Sequence, residues 1–455
     1  MHHVLIIGAG KSTAALIKYL SEKSIKENLI IQLADKNLAV AENLAKKFTN
    51  TEAIELDIFK EKERQEAIRK ASIVVSMLPA MFHTEVAKDC LKFGKNMVTA
   101  SYVSKEMQAM DEEVKAKNLV FMNEIGVDPG IDHMSAMQVI HRIKNQGGKL
   151  LLFESFTGGL VAPESDDNLW NYKFTWNPRN VVVAGQGGAA EFIQEGKYKY
   201  IPYQRLFRRT EFLEVPKFGR FEGIANRNSL MYREIYGLEN IPTLYRGTLR
   251  RVGFSKAWNV FVQSGMTDDT YQLHHSEEMT YRDFVNSFLP YSPSDSVELK
   301  LRHNLKIDQD DLIWDKLMEL DLFSSEKKIG IPNATPAQAL QKILEDKWAL
   351  SPEDKDMIVM YHKFGYEIDG QKKQIDATMV HIGENQTYTA MAKTVGLPVA
   401  MATLRILKGE ITKPGVLRPI YPEVYEPILE ELATYDIIFN ETERDFIGYN
   451  PDKLN

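Results

Sequence analysis

The chain has 455 residues, 44% hydrophobic and 26% charged, which is enough for two or three domains with proper cores and excludes collagenous, coiled-coil and wholly disordered classes. A formal charge of −7, from 56 basic and 63 acidic residues, supplies no general field for nucleic acid or an anionic membrane, so an anionic ligand must be held by a local cluster. One cysteine, Cys90, can close no internal disulfide and build no multi-cysteine metal site; with no signal-length or membrane-length apolar run, the expectation is a cytoplasmic protein without a metal.

Residues 1–130 alternate strand and helix patterns. Short apolar runs at 3–7, 29–34, 53–56, 72–77, 96–99 and 119–122 read as strands, separated by amphipathic stretches such as 13–23 and 38–48. The alternation predicts an α/β fold whose first domain, 1–130, is a doubly wound parallel sheet of the Rossmann type. Beyond it, glycine pairs, aromatics and strand-like runs at 150–156 and 181–184 predict a mixed α+β domain over 131–262. Helical patterns at 281–288, 312–318 and 336–345 predict a helical domain over about 263–356. Strand alternation resumes at 357–361 and 374–381, so about 357–389 is joined to the α+β domain, and 390–407 reads as a long apolar helix packed back on an earlier sheet.

The first strand runs into Gly8-Ala9-Gly10-Lys11-Ser12-Thr13 and then a helix. In that context the glycines permit a tight turn and a pyrophosphate sits on the N–H groups of the helix N-terminus. Thr13 stands where the fingerprint has Gly or Ala. A P-loop is excluded, because that motif needs a glycine where this chain has Leu5 inside a strand. A corner that merely joins strand to helix is the plainer alternative, and the repeated strand–helix units behind the loop favour binding. Asp35 ends the second strand, where a carboxylate accepts from both ribose hydroxyls and repels a 2′-phosphate; this favours NAD over NADP, with the adjacent Lys36 able to offset the repulsion and helix capping as Asp35's structural alternative. Asp57, Ile58, Ser76, Met77 and Leu78 follow the third and fourth strands, at the carboxyl ends where dinucleotides lie. His83 reads as a first-turn helix residue.

Ser101 and Tyr102 follow the fifth strand, and the run from Asn123 to His133 follows the sixth, so their polar side chains are expected on the same carboxyl edge. Asp128 or Asp132 as a helix cap is the structural alternative. Arg227, Arg246, Arg250 and Arg251 concentrate guanidinium groups that suit a substrate with several carboxylates, surface ion pairing being the plainer reading.

These residues carry a resemblance. VTASYVS (98–104), GVDPGIDHMSAM (126–137), GGLVAPE (158–164), NLWNYKFTWNP (168–178), NRNS (226–229), RGTLR (246–250), EDKDMIVM (353–360) and AMAKTVGLPVAMA (390–402) stand in the order found in the L-glutamate-forming saccharopine dehydrogenases, or saccharopine reductases, and the chain resembles that family. The resemblance implies a Rossmann domain, a mixed catalytic domain that makes homodimer contacts, and a helical third domain. It implies substrate contacts at Ser101, Tyr102, Asp128, Arg227, Thr248, Leu249 and Arg250, and cofactor contacts at the glycine loop (Gly8, Gly10, Lys11, Ser12, Thr13), Asp35, Asp57, Ile58, Ser76, Met77 and Leu78, with Trp176 bordering the same cleft. Many relatives carry Cys before the Gly-Gly of GGLxAP; this chain has Thr157, so no thiol can act there. The reaction implied joins or splits saccharopine, glutamate and 2-aminoadipate 6-semialdehyde with NAD or NADP, Asp128 and then Tyr102 being the candidates for proton transfer. Alternatives are a carboxynorspermidine-type or other imine-forming reductase, and a non-catalytic NAD(H)-sensing protein.

Overall fold

The computed structural model describes residues 1–446 and 448, in two units: 1–149 with 379–440, and 150–378 with the segment from Glu441. In chain order the strands are β1 (His2–Ile7), β2 (Leu29–Asp35), β3 (Thr51–Glu55), β4 (Ile73–Ser76), β5 (Asn96–Val98), β6 (Val120–Met122), β7 (Lys149–Val161), β8 (Ala190–Gln194), β9 (Lys197–Ile201), β10 (Thr210–Val215), β11 (Gly219–Ala225), β12 (Thr243–Arg251), β13 (Asp356–Ile368), β14 (Gln371–Ile382), β15 (Gly415–Leu417) and β16 (Asn440–Asp445).

The first unit is built on a seven-stranded sheet in the order β15-β6-β5-β4-β1-β2-β3. Every pairing in it is parallel. Parallel strands are covered on both faces, which is why Val4–Ile7 and Ile73–Val75 are uninterrupted apolar runs and are essentially inaccessible to water. The order reverses at β1, and that switch point opens the crevice in which this architecture binds dinucleotides. The helix Thr13–Ser24 leaves β1; the helix Leu38–Ala45 leaves β2 and is capped by the Asn37 side chain accepting from Val40 N, so Asn37 rather than Asp35 is its cap.

Sequence patterning did not show the seventh strand. β15 comes from residues 415–417 and pairs with β6, so the chain returns to complete its first sheet. The helix Ala390–Leu407 belongs to the same unit and is long and apolar enough to cross a membrane, but 72% of it is buried, which marks a core helix. Its Gly396 lets it lie directly on the first helix: a Cβ there would sit 2.8 Å from Leu16 N and 3.0 Å from Ser12 O.

The second unit has a mixed nine-stranded sheet, order β10-β11-β12-β7-β13-β14-β16, with β8 paired to β12 and β9 to β8. Its core is aromatic: Trp170, Trp258 and Trp348 are at most 1% exposed, with Trp170 5.2 Å and Trp258 6.1 Å from Trp348 between ring centroids. Trp348 ends the helix Pro336–Trp348, which opens on a Thr335/Gln338 capping box, and Trp258 lies on the helix Phe254–Ser264. The stretch expected as a helical domain therefore anchors into the core of this unit. It also holds a helix missed by patterning, Val297–Leu305, capped by Ser296. The run 181–184, expected as a strand, falls at the end of the helix Pro178–Val182, because Asn177 caps Arg179 N at 3.0 Å and Pro178 fits the first helical position.

Gly396→Val is expected to force the two helices apart and lower unfolding free energy by about 2 kcal/mol or more, as overpacking does. Urea unfolding measures it, and a Gly396→Ala variant is expected to fall between.

Candidate active site

The glycine loop is fixed from below and open above. Gly8 has φ +108, and a Cβ on it would lie 2.6 Å from Met77 O, so glycine is required where the loop crosses β4. Thr13, the departure from the fingerprint, is buried, and its hydroxyl donates to Gly8 O at 3.2 Å, so it staples the turn. Gly10 and Lys11 are exposed, with nothing within 4 Å of a Cβ on Gly10. Ser12 provides no side-chain cap for the twelve-residue helix that follows; Thr13 N donates to Gly10 O at 3.0 Å, and the next N–H groups of the first turn suit a phosphate. A cleft of about 160 Å³ adjoins the loop, bordered by Gly8, Asp35, Asp57 and Leu78 and by the edge-to-face rings Phe59 and Phe82, 5.3 Å apart. These residues fit the nucleoside end of a dinucleotide.

Asp35 accepts from Ala9 N at 2.8 Å and from Asn37 N at 2.9 Å, so it holds the loop in place as well as facing the cleft. Asp57 accepts from Phe59 N, which holds its carboxyl below the usual range, and Lys36 pairs with it at 3.4 Å. Ser76 is buried at the end of β4 and its hydroxyl is 2.8 Å from Nδ1 of His83, the first residue of the helix His83–Phe93. A larger groove of about 550 Å³ adjoins the cleft, sharing Ile58 and Phe59 with it, but its central charges satisfy each other, Arg64 with Asp89 at 2.6 Å.

At the carboxyl edge the Tyr102 hydroxyl donates to Asp128 Oδ1 at 3.2 Å, so the two candidate proton-transfer residues of the sequence are brought together. Both are half-buried, as is Ser101. Gly130 is the cap residue of the following helix, and Asp132 accepts from Gly130 N at 2.6 Å. Beneath the pair lies a fully buried carboxylate, Glu124. It accepts from Val103 N at 3.0 Å and Arg418 Nε at 2.9 Å, and its other oxygen is 2.9 Å from His133 Nε2. His133 and Arg418 together outweigh burial and hold Glu124 down at about 2. Patterning passed over Arg418 because it is nearly 300 residues away along the chain.

In the second unit the candidate residues lie on and around β12. Thr248 pairs in register with Thr157, whose buried hydroxyl has no hydrogen-bond partner. Leu249 is buried, and Arg250 is 7% exposed, lying 5.0 Å from the Tyr172 ring and 5.4 Å from Phe254. Burial pushes the Tyr172 phenol up, and Arg250 works against the rise. The one hydrogen bond of the Arg250 guanidinium runs to Leu249 O, and no carboxylate pairs with it among the described residues; the nearest across the ladder, Glu222, is spent on Ser255 N. The chemistry of a buried guanidinium without a counter-ion suits an anion. Arg227 is exposed, with φ +45, in the loop after β11; Trp176 is half-buried four residues after Tyr172.

A family model described as "Saccharopine dehydrogenase NADP binding domain" matches residues 4–122, and "Saccharopine dehydrogenase C-terminal domain" matches 126–438. The chain is 33% identical over 451 residues to the saccharopine dehydrogenase [NADP(+), L-glutamate-forming] of Schizosaccharomyces pombe, covering 97% of this chain and 99% of that one. It is 34% identical over 449 residues to the mitochondrial alpha-aminoadipic semialdehyde synthase of Rattus norvegicus, covering 96% of this chain but only 47% of that longer protein. The solved apo structure of saccharopine dehydrogenase (L-Glu forming) from Saccharomyces cerevisiae superposes with a TM-score of 0.88 at 31% identity, over 98% of this chain and 100% of that one.

Burial lowers His83 to about 4. The unfolded chain takes up a proton near pH 6.5 that the folded chain refuses, so this histidine's contribution is present above pH 6.5 and is lost as pH falls toward 4. His83→Asn is expected to flatten that part of the stability profile, measured by thermal unfolding between pH 4 and 7.

Proposed function

The chain belongs to the saccharopine dehydrogenase family, and on that premise we propose that it interconverts saccharopine with L-glutamate and 2-aminoadipate 6-semialdehyde. The reading is supported by the match of 4–122 and 126–438 to the two domains of one dehydrogenase family, with Tyr102 and Asp128 in contact at the carboxyl edge of the first. Saccharopine is a secondary amine between a lysine skeleton and a glutamate skeleton. A bound nicotinamide dinucleotide supplies the acceptor for the hydride leaving the lysine ε-carbon. Asp128, with Tyr102, takes the amine proton and returns protons as water adds to the substrate imine and glutamate departs. Arg250 and Arg227 hold substrate carboxylates, with Ser101 and Thr248 orienting them. Thr157 takes no part as a nucleophile, and the proton work falls to Asp128 and Tyr102.

The relatives' names specify NADP(+), and they lend no support to the NAD preference expected from Asp35. We place that preference here as a property of this chain's cleft: Asp35 and Asp57 border it, and the one lysine at hand, Lys36, is already paired with Asp57. A 2′-phosphate adds charge of the sign already in excess. The cytoplasmic location and the homodimer belong to the same proposal, supported by the single, buried Cys90 and by the family resemblance.

Absorbance at the NADH band on mixing protein, saccharopine and either cofactor tests the reading: turnover is expected, and none with either cofactor would overturn it. Arg250→Gln is expected to raise KM for saccharopine on the order of 10- to 100-fold with little change in cofactor KM. NAD is expected to exceed NADP in kcat/KM by about tenfold, a margin that Asp35→Ser narrows; higher kcat/KM with NADP would group this chain with its NADP-named relatives.

A further inference from the structure

The Tyr102–Asp128 contact joins two loops that have no regular structure of their own, and one residue, Glu124, ties into the surroundings of both. Tyr102 is bracketed by Glu124 on both sides. Glu124 N donates to Ser101 O at 3.0 Å, and the Glu124 carboxylate accepts from Val103 N at 3.0 Å, so the residues before and after Tyr102 are tied to the same residue through backbone and side chain. Glu124 itself has φ +54, a conformation that an L-residue holds only when its surroundings impose it. Asp128 follows four residues later in a loop closed by Gly126 N on Pro129 O, Ile131 N on Gly126 O and Asp132 N on Val127 O. That loop feeds the helix Ile131–Asn145, and His133 in its first turn is 2.9 Å from the second Glu124 oxygen. Arg418, directly after β15, is a further partner of the carboxylate. Glu124 thus touches the Tyr102 loop, the helix into which the Asp128 loop feeds and the returning C-terminal segment at once, and it is at 0% exposure, out of reach of substrate.

We propose that Glu124 is a positioning residue for proton transfer: it fixes the Tyr102 hydroxyl against the Asp128 carboxylate without itself meeting substrate. This rests on the reading of Tyr102 and Asp128 given above. A carboxylate suits the task because it accepts from several donors at once, and an amide of the same shape cannot accept at both of its ends.

Two measurements on the full chain test it. Hydrogen exchange without ligand reads the clamp directly: Glu124→Gln is expected to speed exchange in the peptide spanning 98–105 by about tenfold while β1 and β4 keep their protection. Unchanged exchange there, or acceleration shared by the whole sheet, overturns the proposal, and this result stands even if the wild-type protein does not turn over saccharopine, the outcome that would sink the functional reading instead. In turnover, Glu124→Gln is expected to lower kcat about tenfold with cofactor KM unchanged, and to lower it less than about twofold when Tyr102 is already Phe, because the clamp acts through that hydroxyl. Equal losses in both backgrounds assign Glu124 a purely structural role and overturn the proposal. Arg418→Gln, at the rim of the cluster, is expected to give the same pattern at smaller amplitude and serves if Glu124→Gln does not fold.

Discussion

A carboxylate taken wholly out of water must be met by donors on every side, and the architecture of the first unit turns on that requirement at Glu124. Its donors come from three places: the loop after β5, the helix after β6, and the residue after β15. β15 belongs to the part of the chain that returns after residue 379, so the carboxyl edge of the sheet is complete only when distant segments have met. The same holds at the glycine loop, where Gly396 of the returning helix touches the backbone of Ser12 and Leu16. The glycine loop and the loops that carry Tyr102 and Asp128 are therefore both set by tertiary contacts from the C-terminal third.

The second unit solves a different problem. Its aromatic core is dense and apolar, yet Arg250 is buried against it with rings on two sides and no counter-ion among the described residues. Such a charge does little for stability, and a guanidinium already stripped of water is chemically suited to pair with a carboxylate. Glu222, which lies opposite it in the ladder, is diverted to the N-terminus of the helix Phe254–Ser264, leaving the guanidinium for another partner.

Local patterns carried much of this. The strands of residues 1–122 were legible because buried parallel strands are apolar throughout, and the glycine loop because it sits between a strand and a helix. The 181–184 run misled because a short apolar stretch has no period of its own and the cap at Asn177 decides it. Asp35 was read as a ribose partner or, alternatively, a helix cap; its hydrogen bonds to Ala9 and Asn37 give it a further task that only coordinates reveal. β15 and Arg418 were invisible for the reason that makes them important: three residues of strand and one arginine acquire meaning only from partners hundreds of positions earlier.

Saccharopine has two carbons from which its central nitrogen can lose a hydride, and they lead to different products. Oxidation at the lysine ε-carbon yields glutamate and the semialdehyde; oxidation at the glutamate α-carbon yields lysine and 2-oxoglutarate. Proton NMR of the completed reaction separates the two. Glutamate in equal amount to reduced cofactor, with no lysine, is the result this account predicts, and lysine with 2-oxoglutarate would contradict it.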